Sequence, residues 1–388
     1  MIDFDHNATT SLDPRVAAEM ARLAGDPQLQ GNPSSIHGRG RKARATLEAA
    51  RRRLASAVGS GALEVTFTGS GSESDALAIL GSARALRARG HAAGILSSRL
   101  EHPAVRGALE LLRKEGHELR FVDVDERGAY SPDDVAKALA QFPEAGLVSL
   151  AAANHELGNV YDVAGNVKAI RAVNPKLLVH TDAVQALGKV DVDFGRWGVD
   201  LMSIAAHKIG GPKGMGALIH RSHIQLSPLY AGGHQERGRR PGTEDPIAAH
   251  GFALAAELAQ QELAQRRAKV SALRERLIGI IEDIEGARVL GTRDAATGNT
   301  ALALFDGCKG ELILMNLDLE GIWVSTGSAC SAGTLEPSKV LLGMGLEPRV
   351  ALGAVRFSLG PSNTSAQLDR LAQVLPTVVA RVRKGAAA

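Results

Sequence analysis

Apolar residues along the chain fall into two alternating rhythms. Short apolar runs bounded by turn residues read as buried strands: "LEVTFTG" (63–69), "AAGILSS" (92–98), "ELRFVDV" (118–124), "GLVSLAAA" (146–153), "LLVHTDA" (177–183) and "VDLMSIAA" (199–206). Between several of them, apolar residues recur three and four apart, as in "SESDALAILGSARALRARG" and "PAVRGALELLRKEG", and these stretches read as helices. The alternation predicts an α/β fold with a parallel or largely parallel sheet wrapped by helices. Near residue 250 the order stops, and one long helix is expected over "IAAHGFALAAELAQQELAQRRAKVSALRERLIGIIED". After it come "NTALALFDG", a loop at 325–337, "AVRFSLG" and a terminal helix. The expected division is a large domain over 15–255 and a smaller α/β domain made of 1–14 and 256–388. No repeat or low-complexity linker intervenes, so the two should pack together, with an active cleft between them.

Composition narrows the function more than the fold. The chain has 388 residues, enough for two domains and a large core. Its 45 basic and 42 acidic residues nearly balance, so no bulk attraction to nucleic acid or anionic membrane follows. Aromatics make up only 3%, too few for the stacking platforms of a single-strand binder. The basic run "RGRKARATLEAARRRLA" (39–55) reads as the wet face of an amphipathic helix rather than a binding patch. Two cysteines, Cys308 and Cys330, make no disulfide framework and suit a reducing compartment. The segment "MIDFDHNATT" lacks the apolar stretch of a secretory signal, and no run is long enough to span a bilayer. A soluble cytoplasmic protein is expected, and no metal site.

The candidate chemistry begins at "MSIAAHKIGGPKGMG" (202–216), where a buried strand runs into His207 and Lys208 and then into glycines. Lys208 either starts a solvated turn or presents an amine that can form a Schiff base with a cofactor. Asp182 stands at the carboxyl end of "LLVHTDA", with Gln185 one turn on. In open α/β sheets ligands sit beyond the carboxyl ends of strands. An aspartate and a lysine meeting there suit pyridoxal phosphate, Asp182 keeping the pyridine nitrogen protonated; a buried salt bridge is the alternative. "FTGSGSESDAL" adds a strand, a small-residue turn and a helix start at Ser70, Gly71 and Ser72. Free N–H groups and hydroxyls there form an anion site for a phosphate, or simply a helix cap. The pattern is neither a dinucleotide fingerprint nor a P-loop.

Cys330 lies in "VSTGSACSAGTLEPS" (324–338), among small and hydroxyl residues, whereas Cys308 follows the apolar "ALALFDG". It is either a mobile thiol able to reach a substrate or a tolerated surface cysteine. Arg356 sits mid-strand in "AVRFSLG", either holding a substrate carboxylate or closing an internal ion pair.

In chain order, "DHNATTSLDPRV", "GNPSSIHGRGRKAR", "SGSESDALAI", "EHPAV", "HTDAVQALGK", "DLMSIAAHKIGGPKG", "ERGRRPGTED", "STGSACSAGTLEPS" and "VRFSLG" resemble the motifs of the group I cysteine desulfurases of the class V aminotransferase-like superfamily. The resemblance covers nearly the whole chain and implies a fold type I pyridoxal phosphate enzyme working as a homodimer. It implies that Lys208 is the Schiff-base lysine, that His102 stacks on the ring, and that Asn154 and Gln185 touch the ring hydroxyl. It further implies that Asp182 pairs with the ring nitrogen, and that Ser72, His207 and, from the other subunit, Thr243 hold the phosphate. Asn7 and Arg356 would bind the substrate carboxylate. The chain departs from the family at His155, at Ala205 and Ala206, and at Ala76, where asparagine, a serine followed by a small residue, and asparagine are common.

The expected activity is conversion of L-cysteine to L-alanine, with a persulfide left on Cys330 for a sulfur acceptor in iron–sulfur cluster assembly, tRNA thiolation or another thio-cofactor pathway. A selenocysteine lyase or an aminotransferase-like relative shares the same scaffold. A non-catalytic protein that binds the acceptor is the alternative of another class.

Overall fold

The main sheet has seven strands: β2 (Val65–Thr68), β3 (Gly94–Ser98), β4 (Leu119–Val122), β5 (Ala145–Ser149), β6 (Leu178–Asp182), β7 (Leu201–Ala205) and β8 (Gly216–His220). They lie in the order β2-β8-β7-β6-β5-β3-β4 in a computed structural model that describes residues 1–91, 94–327 and 336–387. The six strands read from the sequence all form. Pairs from β7 to β4 are parallel, as expected for runs buried on both faces. The exception is β8, antiparallel to both β7 and β2. Its cause is local: only residues 206–215 separate β7 from β8, too few for a crossover helix, so the chain must turn back.

A smaller three-stranded sheet, β9 (Ala287–Leu290), β10 (Thr300–Phe305) and β12 (Ala354–Ser358), is antiparallel with β10 in the centre. The strands β1 (Ile2–Asp3) and β11 (Ile322–Trp323) pair in parallel beside it. One apolar core fills the main sheet and includes Phe67, Met202, Ile204, Phe252 and Ala256. Another joins Phe4, Leu277, Phe305, Phe357 and Leu375 around the smaller sheet. Residues 1–4 therefore belong with the C-terminal part, although they begin the numbering.

Two sequence expectations change. The helix expected to run unbroken from residue 247 is two helices, Pro246–Gln261 and Leu263–Glu282, parted at Glu262, whose φ of −97° and ψ of 3° leave the helical ladder. Arg15 and Arg266 hold the Glu262 carboxylate at 2.5 and 2.6 Å. The first helix packs in the main core and the second in the smaller one, so the chain passes between cores at Glu262, and residue 255 lies inside the first helix. The basic helix (Gly38–Ala57) is also not wholly a wet face. Arg51 is buried, its two Nη atoms on the Glu236 carboxylate at 2.7 and 2.6 Å, while Phe67 N–H donates to the same carboxylate at 2.9 Å. A charge can sit there because its partner is bidentate and further hydrogen-bonded.

Candidate active site

Because β8 opposes both neighbours, β2 and β7 run the same way, and the carboxyl ends of β2, β3, β5, β6 and β7 share one edge. To that edge the chain delivers Gly71 and Ser72 after β2, His102 after β3, Asn154 after β5, Asp182 and Gln185 at β6, and His207 and Lys208 after β7. With Asn7 and Arg356 they line one cavity of about 500 Å³. Thr243 is exposed and does not line it. Cys330 lies outside the described residues; Gly327 and Glu336, on either side of that stretch, both line the cavity.

Lys208 ends a single 3-10 turn, Ala206–Lys208, directly after β7. It does not simply start a solvated turn: its Nζ donates to Asn7 O at 2.6 Å and Ala8 O at 2.9 Å. The N-terminal segment is tied across this turn. Thr10 Oγ1 donates to His207 O and accepts from Gly210 N–H, both at 2.8 Å, and Thr9 Oγ1 lies 3.1 Å from His207 Nδ1. Two glycines set the phosphate end. A Cβ on Gly216 would meet the Ser70 carbonyl at 2.5 Å, and one on Gly71 would meet Val184 Cγ2 at 2.8 Å and Ala205 Cβ at 3.3 Å. Only bare backbone lets the helix start sit this close to the sheet. Ser70 caps it, its hydroxyl accepting from Glu73 N–H at 3.1 Å. The helix carries a π turn at Leu77–Gly81 before continuing to Ala88.

The carboxylates sort themselves. Burial raises the pKa of both Asp182 and Asp75 beside it, but Val184 N–H and the charges of His155 and Lys208 pull only Asp182 back down. Asp182 is therefore the better placed of the two to carry a negative charge, whereas Asp75 is pushed up first by burial and then by the Asp182 charge, with a hydrogen bond from Ser203 opposing. Burial also pushes Glu101 up to about 8. Asp75 Oδ1 lies 3.7 Å from His180 Nε2, whose imidazole burial holds down to about 3. His102 is neutral as well: burial first, then the charges of His155 and Lys208, bring it to about 2. Its Nδ1 accepts from Ala104 N–H at 3.1 Å, and its ring meets that of His155 edge-on at 5.0 Å between centroids.

Neutral buried histidines give stability a pH dependence. The unfolded chain protonates His102 and His180 below about 6.5, whereas the fold resists this down to about 2 and 3. Their contribution is present above pH 6.5 and lost as pH falls, by about 1.4 kcal/mol per pH unit for each. Glu101 has the opposite sign: raised from 4.5 to about 8, its contribution is complete below pH 4.5 and is lost as pH rises from 4.5 to 8. Between pH 4.5 and 6.5 the two histidines outweigh Glu101, so denaturant unfolding followed by fluorescence should show stability rising across that window; stability falling from pH 4.5 to 6.5 would contradict these protonation states.

Other site residues are spent internally. Asn7 Nδ2 donates to Thr300 Oγ1 at 2.8 Å and His155 O at 3.2 Å, while its Oδ1 accepts from Lys189 Nζ at 2.8 Å and Asn299 Nδ2 at 3.0 Å. Arg356 closes an ion pair with Asp5 at 2.8 Å and donates to His155 O at 3.0 Å, leaving its buried Nε–H without a partner among the described residues. Asn154 donates to Leu100 O and accepts from Glu156 and Leu157 N–H, each at 2.9 Å. Sequence reasoning missed Thr9, Thr10, Glu156 and Lys189. The last carried a signal, since it lies four residues after Gln185. Glu156 sits under both ends of the Cys330 stretch: a Cβ on Gly327 would meet its Oε2 at 2.3 Å, and Ser338 Oγ donates to the same oxygen at 2.5 Å.

An amine at Lys208, a buried carboxylate at Asp182 and a helix start pressed against the sheet by glycines fit pyridoxal phosphate as a donor set. Residues 2–371 match the model of the aminotransferase class-V family. The chain is 39% identical to an IscS-like cysteine desulfurase of Mycobacterium tuberculosis, over 100% of this chain and 98% of that protein. It is 41% identical to a cysteine desulfurase of Cereibacter sphaeroides, over 98% of this chain and 96% of the other. Among solved structures, a NifS-like protein superposes with a TM-score of 0.90 at 32% identity, covering 98% of this chain and 99% of its own.

Proposed function

Because this chain belongs to the aminotransferase class-V family and, within it, to the cysteine desulfurases, we propose that it takes sulfur from L-cysteine with the help of pyridoxal phosphate, leaves L-alanine and passes the sulfur on from Cys330. The observation that carries this reading is the shared cavity: Lys208, Asp182, His102, Arg356 and both flanks of the Cys330 stretch line it together.

Bound pyridoxal phosphate would supply an aldehyde that a primary amine can capture and a ring that accepts the electron pair of a broken Cα–H bond. Lys208 would hold it, Asp182 would keep its ring nitrogen protonated, and Gly71, Ser72 and His207 would face its phosphate. Asn154 and Gln185 are assigned to the ring hydroxyl and His102 to its face, where a neutral imidazole can lie flat without repelling a cationic ring. Once its amine is free, Lys208 would act as general base toward the Cα proton. The Cys330 thiolate attacks the substrate sulfur: the S–S bond forms as the Cβ–S bond breaks, the electron pair stays with Cβ, and Cβ takes a proton. The balance is cysteine plus the Cys330 thiol giving alanine plus the Cys330 persulfide. At the carboxylate end, Arg356 keeps its Nε–H and one N–H on each Nη, whereas both N–H groups of the Asn7 amide are taken while its four internal bonds stand.

The homodimer belongs to the same proposal. Thr243 would complete the partner's phosphate site, in keeping with its exposure and with its not lining the cavity of its own chain. The loop before it is pinned by the Arg51–Glu236 pair and by Arg240, whose Nε lies 2.9 Å from Glu73. Mixed heterodimers of Thr243→Ala and Lys208→Ala should regain part of the activity that each homodimer lacks, since one of their two sites is then intact. Mixtures no more active than their components, with heterodimers verified by mass spectrometry, would oppose a shared site.

We place the enzyme in the cytoplasm, where thiols stay reduced, with an iron–sulfur scaffold or another sulfur-accepting protein as its partner. No helix among the described residues is long and apolar enough to cross a membrane. The test is quantitation of alanine and protein-bound persulfide from L-cysteine. Amino-group exchange without sulfur release, turnover confined to selenocysteine, or a protein that takes up no cofactor would each reject the reading.

A further inference from the structure

Behind Asn7 and Gln185 stands a second lysine that the reaction above does not use. Lys189 is half-buried and borders another cavity of about 240 Å³. Burial first, then the charges of Lys208 and Arg356, hold its pKa well below that of an ordinary lysine. Its Nζ donates to Asn7 Oδ1 at 2.8 Å and also to Gln185 Oε1. Both acceptors are neutral amides. Among the described residues this half-buried amine has no ion-pair partner to offset its desolvation, so stability alone is a poor account of it.

Its geometry offers a better one. Its N–H groups donate to both amides, so the atoms turned toward it are their oxygens. Asn7 and Gln185 are thereby prevented from flipping. Gln185 Nε2 then donates to the Asn7 main-chain carbonyl at 3.0 Å, and that same carbonyl accepts from Lys208 Nζ at 2.6 Å. Lys189, Gln185 and Asn7 close a ring of hydrogen bonds whose one shared oxygen holds the amine of the Lys208 side chain. The other Gln185 N–H is left to serve the cavity that Gln185 lines.

We propose that Lys189 is a positioning residue: by donating to Asn7 Oδ1 and Gln185 Oε1 it fixes both amides, and through them the Lys208 amine and the donor that Gln185 offers the cofactor ring. The proposal rests on the assignment of Lys208 and Gln185 to pyridoxal phosphate.

The test compares holoenzymes of Lys189→Met, which keeps the stem without the donor, and Lys189→Arg, which keeps donors. Besides kcat and KM, each is read by visible circular dichroism of the bound cofactor and by the thermal midpoint. Lys189→Met should bind cofactor with a shifted or weakened visible band and lose about tenfold in kcat, as for one misdirected charged hydrogen bond. KM should move less, the thermal midpoint should stay close to wild type, and Lys189→Arg should recover most of both signals. Adding Gln185→Leu to Lys189→Met should cost little more than Gln185→Leu alone, because the two act as one unit. An unchanged band and kcat in Lys189→Met overturn the proposal, and so does full additivity with Gln185→Leu. Should Lys189→Met fail to fold, the same readouts on Lys189→Gln decide in the same way. A wild-type protein with no visible cofactor band would instead overturn the assignment on which the proposal rests.

Discussion

Lys208→Ala is expected to abolish turnover and, together with it, the visible absorbance of the bound cofactor. Two losses coincide at this position: the amine that would hold the cofactor covalently and the base that would take the Cα proton. General-base catalysis alone contributes about 10²–10⁴-fold, and the covalent role comes on top of it. The fold should tolerate the change. The carbonyls of Asn7 and Ala8 lose a donor, but they border a cavity that water can enter, so the thermal midpoint of the apoprotein should move little. Lys208→Arg is the sharper control. It keeps a cation that can donate to the same carbonyls, yet its guanidinium is no nucleophile at neutral pH. Both variants should be colourless after dialysis and inert to borohydride. A yellow, borohydride-sensitive Lys208→Ala protein would show that another amine holds the cofactor.

Cys330→Ser should separate cofactor chemistry from sulfur transfer. The variant should still bind cofactor and respond spectrally to L-cysteine, yet carry no persulfide, because a hydroxyl is a poor nucleophile toward sulfur. Sulfur release should fall to background, at least about a thousandfold, as when an activated nucleophile is removed. Cys308 provides the contrast. It is buried in the smaller core, with Sγ 3.9 Å from Val379 O, and burial pushes its thiol up, away from the thiolate form that transfer needs. Cys308→Ser should transfer sulfur normally. Persulfide found on Cys308, or transfer surviving Cys330→Ser, would reassign the carrier.

Much of the main sheet was legible because strands buried on both faces are written as uninterrupted apolar runs, and six of them were read in place. The antiparallel β8 was not, since "GALIH" carries no mark of direction; only the short return from β7 determines it. Lys208, Asp182 and the Ser70–Ser72 turn could be singled out from their positions at strand ends. Asn7, His102 and Thr243 could not, and were named only through family resemblance, because nothing in "DHNATT", "EHPAV" or "RPGTED" taken alone distinguishes a site from a turn. Arg51 was misread for a physical reason: its partner Glu236 lies far along the chain, and helical spacing reports one face, not what covers it. Lys189 went unread because a lysine after a glycine looks solvated until its acceptors are known.

The tie between the start of the chain and its last strand bears on how the protein is made. Asp5 accepts from Arg356, and Asn7 N–H donates to Ser358 Oγ at 2.9 Å, across separations of 351 residues. Residues 2–8 therefore leave the ribosome long before their partners exist, and β12 must be synthesised before they can settle. Contacts this distant in sequence form late, after the cost of closing the loop has been met. The Asn7 carbonyl that holds Lys208 is itself part of that segment. A nascent fragment ending before β12 therefore carries Lys208 and its ties to residues 7–10 but lacks Arg356 and Ser358, so the carboxylate end of the pocket is completed only once β12 has emerged.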